Sequence, residues 1–242
     1  MKKSLSGTLR KTVETYGLIQ EGDRVAVGLS GGKDSMALLL LLKRYQRYSP
    51  FKFHLEAITV DMGFNNFNLE AAKQFCANLD VPYTITQTDI AKVVFEIRDE
   101  KNPCALCANM RRGALAQTMN ERNLNLLALG HHADDALTTM FLNMLYTGKI
   151  NTLEYKSYLS RADIHVIRPL LDAAESQVIG TVESERIPVL KSPCPMDKHT
   201  KREDVALMLK QLYKEVPNSR KNLLTAMRNE DKCNLFAIRP IK

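Results

Sequence analysis

Apolar residues recur along this chain with two different spacings. In residues 4–16, Leu5, Leu9, Val13 and Tyr16 share one helical face, so the stretch is read as an amphipathic helix. Arg24 to Leu29 is instead a short, nearly continuous apolar run, as expected of a strand buried on both faces. A Gly-rich turn follows, and Ser35 to Tyr48 reads as a helix. The alternation continues with a strand over Phe53–Val60 and a helix over Asn68–Leu79, with Asn68 as candidate N-cap. A weaker strand over Tyr83–Gln87 precedes a helical stretch that opens at Cys104 and Cys107 and runs to about Arg122. Leu124–Leu129 reads as a strand, Asp134–Tyr146 as a helix, and Ile164–Ile167 as a short strand closed by Pro169. Helical signal returns over Glu175–Arg186 and Arg202–Tyr213. Strands alternating with helices predict an α/β fold, a doubly wound and mostly parallel sheet with helices on both faces. Ligands of such sheets lie beyond the carboxyl ends of the strands.

Composition narrows the class. The chain has 242 residues, 45% hydrophobic and 25% charged, which suits one or two folded domains and not a disordered segment. It contains no internal repeat or low-complexity tract. The net charge of +7 is uneven: residues 1–12 carry a local +4, residues 191–242 a local +6, and the middle is slightly acidic at −3. Basic ends around a near-neutral body suit a polyanion such as RNA, although solvated helix faces would give the same count. The longest apolar run, Met36 to Leu42, is too short to cross a membrane, and the basic start is not followed by a signal-type apolar stretch. A cytoplasmic protein with no membrane partner is expected. Five cysteines, an odd number in such a setting, argue against a disulfide framework and for metal binding or catalysis where they cluster.

Three polar signatures follow predicted strands. The first is Ser30-Gly31-Gly32-Lys33-Asp34-Ser35. Two glycines let the backbone curl so that several N–H groups face one anion, and the following helix adds its positive end. Ser30 and Ser35 add hydroxyl donors and Lys33 a charge, so the loop suits a pyrophosphate; its spacing is not that of a Walker A loop. The second is Asp61-Met62, at the end of the second strand. The third is Gly130-His131-His132-Ala133-Asp134-Asp135. Gly130 permits close approach of a ligand, Asp134 is read as the helix cap, and the adjacent carboxylates call for a nearby cation.

The cysteines form a further constellation. Cys104 and Cys107 make a Cys-x-x-Cys pair after Pro103, and Cys194 lies in Ser192-Pro193-Cys194-Pro195. Two close cysteines and one distant one can make a three-thiolate metal site. In a [4Fe–4S] cube this would leave one iron open to exogenous sulfide. Cys104, Cys107, Cys194 and His199 would equally satisfy a structural zinc set, and a redox dithiol is a third reading. Spacing alone does not choose among them. Cys76, inside a predicted helix, is read as packing, while Cys233 stays open as a further contact.

The hexapeptide at residues 30–35 resembles the PP-loop of ATP pyrophosphatases. That family splits ATP into AMP and pyrophosphate to activate a carbonyl oxygen, so the resemblance implies ATP and Mg²⁺. It also implies a PP-loop, adenine nucleotide alpha hydrolase-like and Rossmann-like sheet with added N- and C-terminal helices. The loop, Pro103-Cys104-x-x-Cys107 before Arg111-Arg112-Gly113, Leu129 to Asp135, Phe141-Leu142-Asn143, Val166 to Leu170 and Asn234-Leu235-Phe236 together resemble the tRNA 2-thiocytidine synthetases. The likeness runs from about residue 20 to 236.

It implies an ATP-dependent tRNA sulfurtransferase acting at cytidine C2, at tRNA position 32, with a [4Fe–4S] cluster on Cys104, Cys107 and Cys194. It divides the chain into a basic N-terminal helix (1–20), an ATP-binding domain (21–190) and a basic helical extension (191–242). Ser30 to Ser35, Asp61, Met62, Gly130 and His131 would contact the nucleotide; Lys33, Arg111, Asp134 and Asp135 would serve the chemistry. The implied partners are tRNA and a cysteine desulfurase or other sulfide donor, with a homodimer left open. A uridine thiolase, a lysidine-type ligase and a zinc-stabilised RNA-binding module are the alternatives. One departure is that Asp197 stands where the group often has a second Cys-x-x-Cys; the segment between residues 61 and 70 is also shorter than usual.

Overall fold

A computed structural model describes residues 4–64, 67–98, 103–160, 162–196 and 200–229. Lys2, Lys3, Asp197, His199, Cys233 and Asn234-Leu235-Phe236 lie outside the described residues. The chain divides into two units, residues 1–136 with 153–199, and residues 137–152 with 200–242.

The first unit is built on a six-stranded sheet of order β3-β2-β1-β4-β6-β5. These strands are β1 (Arg24–Gly28), β2 (His54–Asp61), β3 (Tyr83–Gln87), β4 (Leu126–Ala128), β5 (Lys156–Leu159) and β6 (Ile164–Ile167). All neighbours pair in parallel except β5 and β6, which are antiparallel. The central strands are covered on both faces, which is why Val25-Ala26-Val27 and Leu126-Leu127-Ala128 are apolar at every position.

On one face pack α1 (Leu5–Thr15), α2 (Lys33–Gln46), α3 (Glu70–Asn78) and α7 (Glu175–Ser184), around Leu9, Val27, Leu38, Cys76 and Val178. On the other lie a helical turn, α4 (Ile90–Lys92), a π turn over Val93–Ile97 and the long α5 (Pro103–Glu121), around Ile58, Val94, Met119 and Val166. The doubly wound expectation is borne out. The chain leaves β1 toward β2 on one side, while β4 pairs on the other. The loops after β1 and β4 therefore flank the point where strand order reverses, the usual ligand crevice of such sheets.

The second unit holds most of α6 (Ala133–Thr147), which begins in the first unit, with α8 (Lys201–Glu215) and α9 (Ser219–Ala226). Leu137, Val205 and Leu209 form its buried centre, and Phe141, Leu212 and Leu223 pack around them. Thr200 caps α8 by accepting the Glu203 N–H at 3.3 Å, and Arg202 donates to Thr139 at 2.9 Å.

Local chemistry adjusts several expected boundaries. The helix expected from Asn68 starts at Glu70, and the Asn68 amide oxygen accepts the Glu70 N–H at 2.9 Å, so Asn68 turns the chain just ahead of the helix. α2 begins two residues before Ser35, at Lys33. β5 and α9 were not anticipated. β5 is an edge strand that buries little on one face, so Lys156 and Tyr158 point outward and its apolar signal is thin. Among the described residues no helix is long and apolar enough to cross a membrane.

Candidate active site

The phosphate-loop signature lies between β1 and α2, as its sequence requires. Gly31 holds a φ of +80°, a conformation in which a side chain would be strained, and a Cβ there would also stand 2.7 Å from the Leu190 side chain. Leu190 closes the loop from outside, its N–H donating to the Gly31 carbonyl at 2.9 Å. The two serines brace the turn. Ser30 Oγ lies 3.1 Å from Ser35 Oγ and accepts the Gly32 N–H at 3.3 Å, while Ser35 Oγ lies 3.1 Å from the Gly32 carbonyl. Both hydroxyls therefore organise the loop as well as lining it.

Charge is concentrated beside this turn. Lys33 Nζ lies 2.9 Å from both carboxylate oxygens of Asp34 and 3.2 Å from Glu175 Oε1. Burial works against the ammonium, but the bonds and fields of Asp34 and Glu175 outweigh it and hold its pKa above the ordinary lysine value. The buried His132 ring joins the same group: Nε2 is 3.5 Å from Asp34, and Nδ1 is 3.4 Å from Asp135 and 3.9 Å from Asp134.

The Gly130 signature meets the phosphate loop through backbone. A Cβ on Gly130 would stand 2.8 Å from the Asp34 carbonyl carbon and 2.9 Å from the Ser35 nitrogen. Only glycine lets these two loops approach so closely. Asp134 occupies the first turn of α6, and its carboxylate accepts the Glu175 N–H of α7 at 2.9 Å, so it ties two helices together where a cap on its own helix was expected. Asp135 reaches back to the His132 N–H at 3.0 Å, the capping-box position. His131 stands beside Gly130 in the same loop.

Asp61 ends β2. Its side chain accepts the Gly63 N–H at 3.0 Å and its carbonyl the Thr88 N–H at 2.9 Å, which fixes the β2 loop against the one after β3. Met62 Sδ then lies 3.4 Å from Cys107 Sγ. The β2 loop thus touches the cysteine region directly.

Cys104, Cys107 and Arg111 project from the first three turns of α5, and Cys194 comes from the segment beyond α7. Cys104 is exposed, and Cys107 and Cys194 are half-buried. Burial raises the Cys107 thiol pKa, Arg111 opposes this, and the neighbouring Cys194 and Cys104 raise it further. Arg111, Cys104 and Cys194 are therefore each within electrostatic reach of Cys107. Cys76 is buried between α3 and the sheet, and desolvation pushes its thiol up to about 12, consistent with packing. Among the described residues no three His, Cys, Asp or Glu side chains are gathered tightly enough to hold a metal ion as they stand. The donor type nonetheless fits an iron–sulfur group: Cys104 and Cys107 lie about one helical turn apart on α5, and Cys194, from another segment, is near enough for its charge to act on the Cys107 thiol. The Asp134 and Asp135 carboxylates, both within 4 Å of His132 Nδ1, are hard oxygen donors of the kind Mg²⁺ takes.

Sequence reasoning missed Glu175 and Leu190. Glu175 carried only the signal of an acid in a helix's first turn, and Leu190 none beyond its apolarity.

Comparison with known proteins agrees with this geometry. Residues 1–211 match the PP-loop domain family. A tRNA-cytidine(32) 2-sulfurtransferase of Pelobacter propionicus is 34% identical over 230 residues, covering 94% of this chain and 86% of that protein. One from Neisseria gonorrhoeae is 35% identical over 231 residues, covering 95% and 72%. Among solved structures, the U34-tRNA thiolase NcsA from Methanococcus maripaludis with its [4Fe-4S] cluster has a TM-score of 0.73 and 28% identity, covering 92% of this chain and 76% of that one. An NH3-dependent NAD synthetase from Campylobacter jejuni, with a TM-score of 0.51 and 17% identity over 96% of this chain and 97% of that one, shares the fold. A phosphate loop braced by its own serines, a glycine-mediated contact with the loop after β4 and these relatives agree: the chain belongs to the PP-loop domain family, in the group of the tRNA-cytidine(32) 2-sulfurtransferases.

Proposed function

We propose that this chain is an ATP-dependent tRNA sulfurtransferase that converts a cytidine, at position 32 of the tRNA, to 2-thiocytidine. The observation that carries the reading is the junction at Met62, 3.4 Å from Cys107, which joins the nucleotide-side loop after β2 to the three-thiol region. A site that activates an oxygen with ATP and replaces it with sulfur needs these two halves side by side.

ATP binds with its phosphates on the loop of residues 30–35 and its nucleoside toward Asp61 and Gly130. The cytidine C2 oxygen attacks the α-phosphorus, the bond to the bridging oxygen breaks, and pyrophosphate leaves into the nest of N–H groups. Lys33 offsets the charge that builds on the phosphates, exchanging part of its contact with Asp34 and Glu175 for the new anion. Mg²⁺ would be held by Asp134 or Asp135 and would supply further charge neutralisation. Sulfide attacks C2, the C2–O bond breaks, and AMP departs with the oxygen. Arg111, one turn from Cys107, would steady the adenylate phosphate. Cys104, Cys107 and Cys194 would hold a [4Fe–4S] cluster, which would supply a binding position for sulfide. The iron–sulfur form is favoured over zinc by the cluster of the archaeal thiolase to which this fold is similar. A cysteine desulfurase is the class of enzyme that would supply sulfide, and the reaction belongs in the cytoplasm with its tRNA.

Uridine thiolation is the second reading, favoured by the same archaeal structure; the greater identity to cytidine-acting relatives places it second. The oxygen's fate tests the chemistry. With an anticodon stem–loop carrying ¹⁸O at cytidine C2, the label is expected in AMP. Label in pyrophosphate, or in neither product, would overturn the adenylation step.

A further inference from the structure

Arg168 is a cation that the chemistry above does not use. It follows β6 at the carboxyl edge of the sheet, where ligands of this fold gather. The β4–β6 ladder pairs Ala128 with Ile167, and the Leu129 N–H donates to the Ile167 carbonyl at 3.0 Å, so Arg168 stands across from Leu129, one residue before Gly130. Parallel partners share a face, and Leu129, Ile164 and Val166 pack in the α5-side core with Met62 and Cys107. Arg168 therefore lies on the cysteine side of the sheet, next to the Gly130 loop.

Among the described residues it has no charged partner within ion-pair distance. Nη1 donates to the Glu154 carbonyl at 2.7 Å and lies 3.2 Å from Ser157 Oγ, both uncharged acceptors. Nε is buried with no hydrogen-bond partner, and no carboxylate among the described residues is within ion-pair distance. Burial lowers the guanidinium pKa, opposed only by the charge of Glu154. A desolvated cation without a counter-ion is costly, and a guanidinium fork matches phosphate oxygens two at a time.

We propose that Arg168 receives a phosphate oxyanion of one of the two substrates, either the adenylate phosphate or a backbone phosphodiester of the tRNA. The inference rests on the proposed function, because both candidate sources are its substrates. Binding by the full chain distinguishes them. AMP is titrated by calorimetry, and unmodified tRNA by fluorescence anisotropy over a salt series, for the wild type, Arg168→Met and Arg168→Lys. Arg168→Met is expected to weaken one ligand at least tenfold while the other stays within twofold, with Arg168→Lys intermediate. Loss confined to AMP identifies the adenylate phosphate. Loss confined to tRNA, with the salt slope reduced by about one, identifies the RNA backbone. Unchanged affinities would overturn the role of Arg168. So would parallel loss of both ligands with a lowered melting temperature in Arg168→Met and full recovery of both in Arg168→Lys, since the side chain would then only join β5 to β6. A wild-type chain binding neither ligand would refute the underlying reading and this inference with it.

Discussion

Gly130→Ala probes the close contact between the two loops proposed to hold the nucleotide. The added Cβ would stand 2.8 Å from the carbonyl carbon of Asp34, 2.9 Å from its oxygen and 2.9 Å from the nitrogen of Ser35. Unbonded carbons rest about 3.5–4.0 Å apart, so the overlap is about 1 Å. All three neighbours are backbone atoms at the start of α2, and no rotamer change relieves the clash. The Gly130 loop and the phosphate loop must part. Overpacking of this kind costs about 1–3 kcal/mol, and each kcal/mol lowers the melting temperature of a chain this size by about 2–4 °C. A displacement of about 1 Å at reacting groups costs on the order of 10²-fold in rate. Activity should therefore fall much further than stability. The assay is pyrophosphate release with tRNA and sulfide, beside thermal melting followed by circular dichroism. A variant with wild-type melting and turnover would refute the argument that this close approach shapes the site.

Other substitutions separate the parts. Gly180→Ala, in the exposed middle of α7 with open space at its Cβ, should raise stability by about 0.5–1 kcal/mol in a denaturant melt and leave turnover unchanged. Lys33→Met should lower turnover by about 10²–10³-fold, because it removes the cation proposed to offset charge on the phosphates; loss below tenfold would contradict that role. In cluster-free protein at pH 8, iodoacetamide should label exposed Cys104 first, Cys107 more slowly and Cys76 least, as read by peptide mass spectrometry. Glu56 is buried, which by itself disfavours its charge, but Arg122 and His54 hold its pKa below the usual glutamate value. Its folded pKa is depressed, so its stabilisation is present above the unfolded value of about 4.3 and is lost as pH falls through the folded one. The stability difference between wild type and Glu56→Gln should accordingly shrink as pH falls below about 4.

The elements that were legible in the sequence are those whose residues obey one strong rule. The centres of β1 and β4 are apolar because both faces are covered, and the phosphate loop declares itself through Gly31, whose φ of +80° would strain a side chain. β5 escaped notice because an edge strand buries few side chains. Asp134 was misread as a cap for its own helix, since nothing local reveals that its carboxylate reaches the α7 N–H group 41 residues further on. Glu175 was missed for the same reason, being joined to Lys33 only by the fold. The shared neighbourhood of Cys194 with Cys104 and Cys107 was expected from resemblance, and the field of Cys194 at the Cys107 thiol supports it.

The most direct measurement is mass spectrometry of digested nucleosides after anaerobic incubation of the cluster-reconstituted protein with unmodified tRNA, Mg²⁺, ATP and labelled sulfide. The account predicts 2-thiocytidine that carries the label, requires ATP and is lost in Cys194→Ala. A thiouridine would contradict the substrate assignment, and no thionucleoside from a protein with its full iron complement would contradict the sulfurtransferase itself.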